Sequence, residues 1–175
     1  MIGTRRATPE DAAEIVRLRR AMFAAMSGRD EPGPWEREAE RTARRQLALD
    51  ASPLLAFVVD GERPDPPGHL AACAVGRIEE RLAAPVSPYG LFGFVFSVCT
   101  DERYRGRGCA RATTAALLEE FARRGVTRVD LHATPEAEAM YRSMGFAEHS
   151  IPLSLDVSTL DAAAAREETP PPPPG

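Results

Sequence analysis

The chain reads as a single-domain α/β (α+β) protein in which helices flank a mixed sheet, and three observations lead there. Its 175 residues, 43% of them hydrophobic, suit one domain with a proper core. Two β-rich segments, 54–60 and 69–78, flank the proline-rich stretch 61–68, the pattern of an antiparallel hairpin. A nearly continuous apolar run, 92–99, then breaks abruptly into an arginine- and glycine-rich turn that opens a helix.

Taken in order, residues 2–7 form a segment short enough for an edge strand. Thr8 suits a helix cap, Pro9 the first helical position and Asp11 the positive helix end. Ile15, Leu18, Met22, Phe23 and Met26 keep helical spacing and carry this helix to about residue 27, with the Met and Phe stripe read as core. After a polar break at 28–34, residues 35–50 form a charged second helix with Trp35, Ala39, Ala43 and Leu47 on its inner face. The hairpin follows, then a longer polar link at 79–90. Residues 92–99 read as a strand buried on both faces. The helix 108–122 keeps Ala110, Thr114, Leu117, Leu118 and Phe121 at three- and four-residue spacings, and Gly125 ends it. A strand at 126–133, a short helix at 135–144 and a final strand at 146–157 complete a domain spanning 1–160. From about residue 161, Ala-rich then Glu-rich sequence runs into five prolines, so 161–175 is expected to be a disordered Pro-rich tail that cannot bury a core.

Composition removes several classes of function. A net charge of −4 and a pI near 5.5 argue against a nucleic-acid partner, which calls for a basic face. All 22 basic residues are arginine, and asparagine is absent too, a bias that fits a GC-rich bacterial genome. Cys73, Cys99 and Cys109 lie scattered in or beside apolar segments, without metal-ligand spacing, which fits a reducing compartment and no metal site. No apolar run approaches a membrane span, and the N-terminus lacks a signal peptide's apolar stretch. A soluble cytoplasmic protein without a membrane partner is expected.

The turn after residue 99 carries the chemistry. A helix N-terminus has unpaired amides and partial positive charge, so a glycine-rich approach to it forms an anion site, above all for phosphate. Gly106 and Gly108 let the backbone come close, while Arg103, Arg105, Arg107 and Arg111 surround it with guanidinium groups. A Walker A loop needs a lysine that this chain does not have. A dinucleotide fingerprint starting at Gly106 would put Arg111 where close helix–strand packing demands Gly or Ala. What remains is R-x-x-G-x-A, from Arg105 to Ala110. About thirty residues later stands Ala137-Glu138-Ala139-Met140-Tyr141-Arg142-Ser143-Met144-Gly145-Phe146.

With these two ordered motifs the chain from Ser97 to Phe146 resembles the GNAT superfamily of N-acetyltransferases. The resemblance implies a mostly antiparallel sheet with splayed central strands, acetyl-CoA as cosubstrate, and transfer of acetyl to a primary amine of a small molecule or peptide within a ternary complex. It implies that backbone groups of Val98, Cys99 and Thr100 hold the pantetheine arm. Amides of Gly106, Arg107, Gly108, Cys109, Ala110 and Arg111 then hold the pyrophosphate, with charge from Arg105 and Arg107. Tyr141 becomes the general acid for the departing thiolate. Thr134 stands where the family often has a cofactor-contacting Asn, and Arg29, Asp30, Glu31 and Trp35 fall where acceptor contacts are made. The family's strand glutamate has no counterpart in 92–99, which leaves the general base open among His132, Glu79 and Glu80 with a water relay. Cys99 as an acyl-enzyme nucleophile lacks a paired His. The missing carboxylate also motivates an alternative, a non-catalytic acyl-CoA-binding regulatory module. Homodimers are common in the family, and the final strand could pair across one.

Overall fold

The computed structural model describes residues 2–62, 65–149, 151 and 153–159, so the Pro-rich tail at 161–175 lies outside the described residues. The elements run β1 (Arg5–Arg6), α1 (Ala12–Ser27), α2 (Pro34–Leu47), β2 (Leu54–Asp60), β3 (Leu70–Glu80), β4 (Leu91–Thr100), α3 (Cys109–Arg123), β5 (Arg128–Leu131) and α4 (Pro135–Ser143). Five strands form one sheet in the order β1-β2-β3-β4-β5, antiparallel except for the parallel pair β4–β5. The mixed, mostly antiparallel sheet is therefore as expected.

Local chemistry sets the first helix. The Thr8 amide donates to Asp11 Oδ2 at 2.7 Å, and Arg5 donates to both oxygens of the buried Asp11 at 2.7 and 2.8 Å. Burial alone would raise the Asp11 carboxyl, but Arg5 and the Thr8 amide hold it below the ordinary carboxylate range. Gly28, at φ 71°, ends α1 in the left-handed region.

Alternation along the strands divides the core between two faces. Ala56, Val58, Cys73, Val75 and Cys99 pack with Ile15 and Leu18 of α1. Leu55, Ala74 and Val95 pack with Leu117 and Phe121 of α3 on the opposite face. Val95 and Cys99 are four residues apart yet face opposite sides, which a regular strand forbids. The cause is a β-bulge: Val75 pairs with Ser97 and Gly76 with Val95, so Phe96 is an extra residue and the phase of β4 flips there. The expectation of a strand buried on both faces holds except at Phe96, which is 37% exposed.

Gly76, opposite the bulge, and Gly93 make room for α3. A Cβ on Gly76 would lie 2.8 Å from the Phe94 carbonyl oxygen and 2.9 Å from Phe121 Cζ, and one on Gly93 3.0 Å from the Phe121 ring. The aromatic ring thus seats on bare backbone, which fixes the height of α3 above the sheet.

Three expected strands differ from the structure. The first covers only Arg5–Arg6, and β5 stops at Leu131 instead of reaching 133. The final strand at 146–157 is not formed among the described residues: Ile151, Leu153, Leu155 and Val157 keep the alternation but stand exposed without a ladder, and 157–159 is a 3₁₀ turn. Alternation alone does not make a strand when no partner edge meets it.

The seating of Phe121 yields a stability prediction. Phe121→Ala should cost about 3–5 kcal/mol and Gly76→Ala about 1–3 kcal/mol, the first by opening a cavity and the second by overpacking. Urea unfolding midpoints of the two variants check this, and a neutral Gly76→Ala would refute the contact.

Candidate active site

β5 accompanies β4 only from the Phe92–Arg128 pair to the Val95–Leu131 pair. It then leaves through residues 132–134 into α4, whose first residue Pro135 has no amide to donate. Beyond this point β4 runs on to Thr100, and its edge toward β5 is open. The gap is a cleft of about 930 Å³, walled by β4 from Phe94 to Thr100, by Leu18, Met22 and Phe23 of α1, and by Leu131, His132, Thr134 and Tyr141. Val98, Cys99 and Thr100 all line it. Thr100 Oγ1 is buried with no hydrogen-bond partner among the described residues. An open strand edge and an unpaired buried hydroxyl fit a ligand with amide groups, as a pantetheine arm has.

The cleft leads to the arginine–glycine turn. Gly106 (φ 75°) and Gly108 (φ 85°) take the left-handed conformation that side chains disfavour. Gly108 caps α3 without a side-chain bond, and the first bond into the helix is Ala112 N to Gly108 O at 3.0 Å. The amides of Gly108, Cys109, Ala110 and Arg111 have no acceptor among the described residues, which is the donor set an anion requires. Arg105 is exposed and lines the cleft. Arg107 stacks 5.0 Å from the Tyr104 ring centroid and reaches Glu62 at 3.5 Å, and Arg111 donates to Ser143 Oγ, tying α3 to α4. The Cys109 side chain packs inward with Val59, Ala71, Ala72 and Tyr104, so only its backbone faces the site. Burial raises its thiol.

Arg103 does not join this set. Its guanidinium binds Asp65 and Asp101, the latter at 3.2 Å, and lies 2.9 Å from His69 Nε2. Asp101 also takes Arg17 at 3.0 Å and the Arg103 amide at 3.1 Å. Tyr104 donates to Asp65 at 2.7 Å and accepts the Glu62 amide at 2.7 Å. This network fastens the end of β4 to α1 and to the β2–β3 connection, so the turn departs from a fixed base. Sequence reasoning, seeing four nearby arginines, had no signal separating this anchor from the others.

Tyr141 is 7% exposed, packs edge-on against Phe146 at 5.7 Å between centroids, and lines the cleft with no hydroxyl partner among the described residues. Burial first, and the nearby Cys99 sulfur second, push its phenol up to about 12. It therefore stays protonated, able to donate, through the whole neutral range. His132 lies on the cleft wall, exposed, with its ring edge-on to Phe94 at 5.5 Å. Thr134 lines the same wall as the N-cap of α4, its side chain making no cap bond. Glu79 pairs with Arg81, and neither Glu79 nor Glu80 lines the cleft. Cys99 is buried against Met22 Sδ at 3.5 Å and Cys73, a packing position.

A second hollow of about 440 Å³ adjoins the cleft, the two sharing Phe23 and Met26. Arg29, Glu31 and Trp35 line it, and Trp35 donates to the Glu31 carbonyl at 3.1 Å and stacks edge-on against Phe23 at 5.6 Å. Asp30 is instead held by Arg20 at 2.6 Å. Phe96 and Ser97, which the bulge turns together toward α1, carry no sequence signal that would have marked them.

Comparison with protein families matches the Acetyltransferase (GNAT) family over residues 20–146. Among solved structures, a predicted acetyltransferase from Clostridium acetobutylicum, solved with acetyl-CoA, superposes with a TM-score of 0.74 at 20% identity, covering 90% of this chain and 97% of that one. Glucosamine-6-phosphate N-acetyltransferase from Arabidopsis thaliana follows at 0.69 and 19%, covering 88% and 97%. A GCN5-related N-acetyltransferase from Ralstonia eutropha gives 0.64 and 25%, covering 86% and 97%. No curated protein matches the chain.

The environment of Tyr141 predicts a spectroscopic result. In the difference between wild-type and Tyr141→Phe ultraviolet titrations, the phenol of this residue should remain un-ionised at pH 10. Its raised value means the folded form holds the proton that the unfolded chain loses, so its contribution to stability is complete below pH 10 and is lost as pH rises toward 12. Half-ionisation at pH 10 would contradict the burial of this side chain.

Proposed function

The chain belongs to the GNAT family of acetyltransferases, and we propose that it transfers acetyl from acetyl-CoA to a primary amine of a small molecule or peptide by direct attack in a ternary complex. The observation that carries this reading is the open edge of β4 leading to the unsatisfied amides of Gly108 to Arg111 at the start of α3. Acetyl-CoA, when bound, supplies an activated thioester. Backbone groups of Val98, Cys99 and Thr100 hold its amide-bearing arm as a strand holds a neighbour, and Thr100 Oγ1 gains the partner it lacks. Amides from Gly106 to Arg111 take the pyrophosphate, with charge from Arg105 and Arg107. Thr134, at the head of α4, adds a hydroxyl from the opposite wall.

Fixing the thioester carbonyl beside the amine settles orientation before reaction. The amine nitrogen forms the new C–N bond as the C–S bond breaks, and sulfur keeps that electron pair. Tyr141, held neutral by burial, gives its proton to the sulfur. His132, on the same wall, takes the proton released from the amine, directly or through water, at the ring nitrogen that carries a lone pair. The competing reading, an acyl-CoA-binding module without catalysis, is favoured by the absence of a carboxylate on the β4 wall of the cleft. Thiol release with any amine removes it.

Two variants test the assignment. Arg105→Ala combined with Gly108→Glu should abolish acetyl-CoA binding by calorimetry while near-ultraviolet circular dichroism stays native. Tyr141→Phe should lose about 10²–10⁴-fold in rate with acetyl-CoA affinity little changed. Wild-type turnover of Tyr141→Phe, measured where chemistry limits the rate, would make that tyrosine a packing residue.

A further inference from the structure

The acceptor side of the cleft has a composition that selects a chemical class. Met22, Phe23, Met26, Phe94 and Phe96 give it an apolar, largely aromatic wall. Against that wall packs Arg19, whose guanidinium donates to Ser97 Oγ and sits 4.6 Å from the Phe23 ring centroid and 5.7 Å from that of Phe96. The β-bulge is what turns Phe96 and Ser97 toward it together.

Arg19 differs from the arginines beside it on α1. Arg17 is neutralised by Glu14 at 2.9 Å and Asp101 at 3.0 Å, and Arg20 by Asp30 at 2.6 Å and Glu36 at 3.4 Å. Arg19 has no carboxylate partner among the described residues and is half-buried. Two aromatic faces steady the guanidinium through cation–π attraction but use none of its N–H donors. A partly desolvated guanidinium with spare donors calls for an anion, and a planar carboxylate matches its fork. Acidic groups are correspondingly scarce. Glu136 lies on the opposite wall at the head of α4, and Glu31 in the adjoining hollow is exposed and faces Arg29. A polycationic amine would find no counter-charge on this wall.

Resting on the acetyl-transfer reading above, we propose that the acceptor is an amine that also carries an anionic group and an apolar body, as an α-amino acid with an aromatic or aliphatic side chain does. Arg19 takes the carboxylate beside Ser97, and the apolar part lies against Phe23, Phe96 and Met26. Arg19 is then the residue that decides specificity.

The test measures CoA release from the full chain with phenylalanine, phenethylamine, glucosamine 6-phosphate and spermidine. A charge-assisted hydrogen bond is worth about tenfold or more in kcat/KM, so phenylalanine should exceed phenethylamine by that factor. Glucosamine 6-phosphate, an anionic amine with a polar body, and spermidine should both be poorer than phenylalanine. Arg19→Gln should bring the phenylalanine-to-phenethylamine ratio close to one, and Arg19→Lys should restore part of it. A wild-type ratio near one, a preference for spermidine or glucosamine 6-phosphate, or an unchanged ratio in a folded Arg19→Gln variant would each overturn the proposal. The wild-type panel decides even if that variant does not fold. Absence of turnover with every amine would be a failure of the acetyl-transfer reading instead. Calorimetry of phenylalanine binding in the presence of CoA then decides on Arg19, with binding weakened by Arg19→Gln as support and equal binding as refutation.

Discussion

The parting of β4 from β5 after the Val95–Leu131 pair is the constraint on which the rest of the site depends. A sheet normally satisfies both edges of an inner strand, and leaving one open costs unpaired backbone groups unless a ligand or water takes them. Here the open edge is made by two local facts. Phe96 is an extra residue that kinks β4, and Pro135 starts a helix where β5 would have to continue. Because the ladder stops there, Tyr141, His132 and Thr134 face β4 across a gap.

Two further contacts aim the parts around that gap. Phe121 rests on Gly76 and Gly93, so α3 lies close to the sheet, with its N-terminal amides beside the end of β4. The Asp101–Arg103–Asp65–Tyr104 network, joined by Arg17 and His69, fixes the base of the turn. With α3 and the turn's base both held, Gly106 and Gly108 have one path to follow. An anion site built from backbone amides needs such rigidity, since each donor is positioned by chain geometry and cannot reach out as a side chain does.

Much of the turn and of the wall around Tyr141 was legible in the residues. Arg105 to Ala110 and the segment around Tyr141 are contiguous motifs, and contiguity suits a reading along the chain because one turn and one short helix each build a complete piece. The α1 side of the cleft was not. Arg19 and Phe23 lie more than seventy positions from Phe96 and Ser97, and each taken alone looks like ordinary core or surface. The distinction between Arg103, consumed by the anchor, and Arg105, free in the cleft, has the same origin. It depends on Asp65, which only the β2–β3 connection brings near.

The sequence by itself determined the class of fold, the order of most elements, the glycine–arginine turn at the start of α3 and the candidate acid Tyr141. The fold class, the element order and the turn follow from periodicity, capping and short-range spacing, which act over a few residues, and Tyr141 from the resemblance its motif carries. Tertiary structure alone decided where β4 bulges, that β5 ends at Leu131, that the alternating segment 151–157 meets no partner strand among the described residues, and which arginines are taken up in ion pairs. Pairing register and ion pairing are settled by groups distant along the chain, and the competition among them for space and charge leaves no mark on any single stretch of residues.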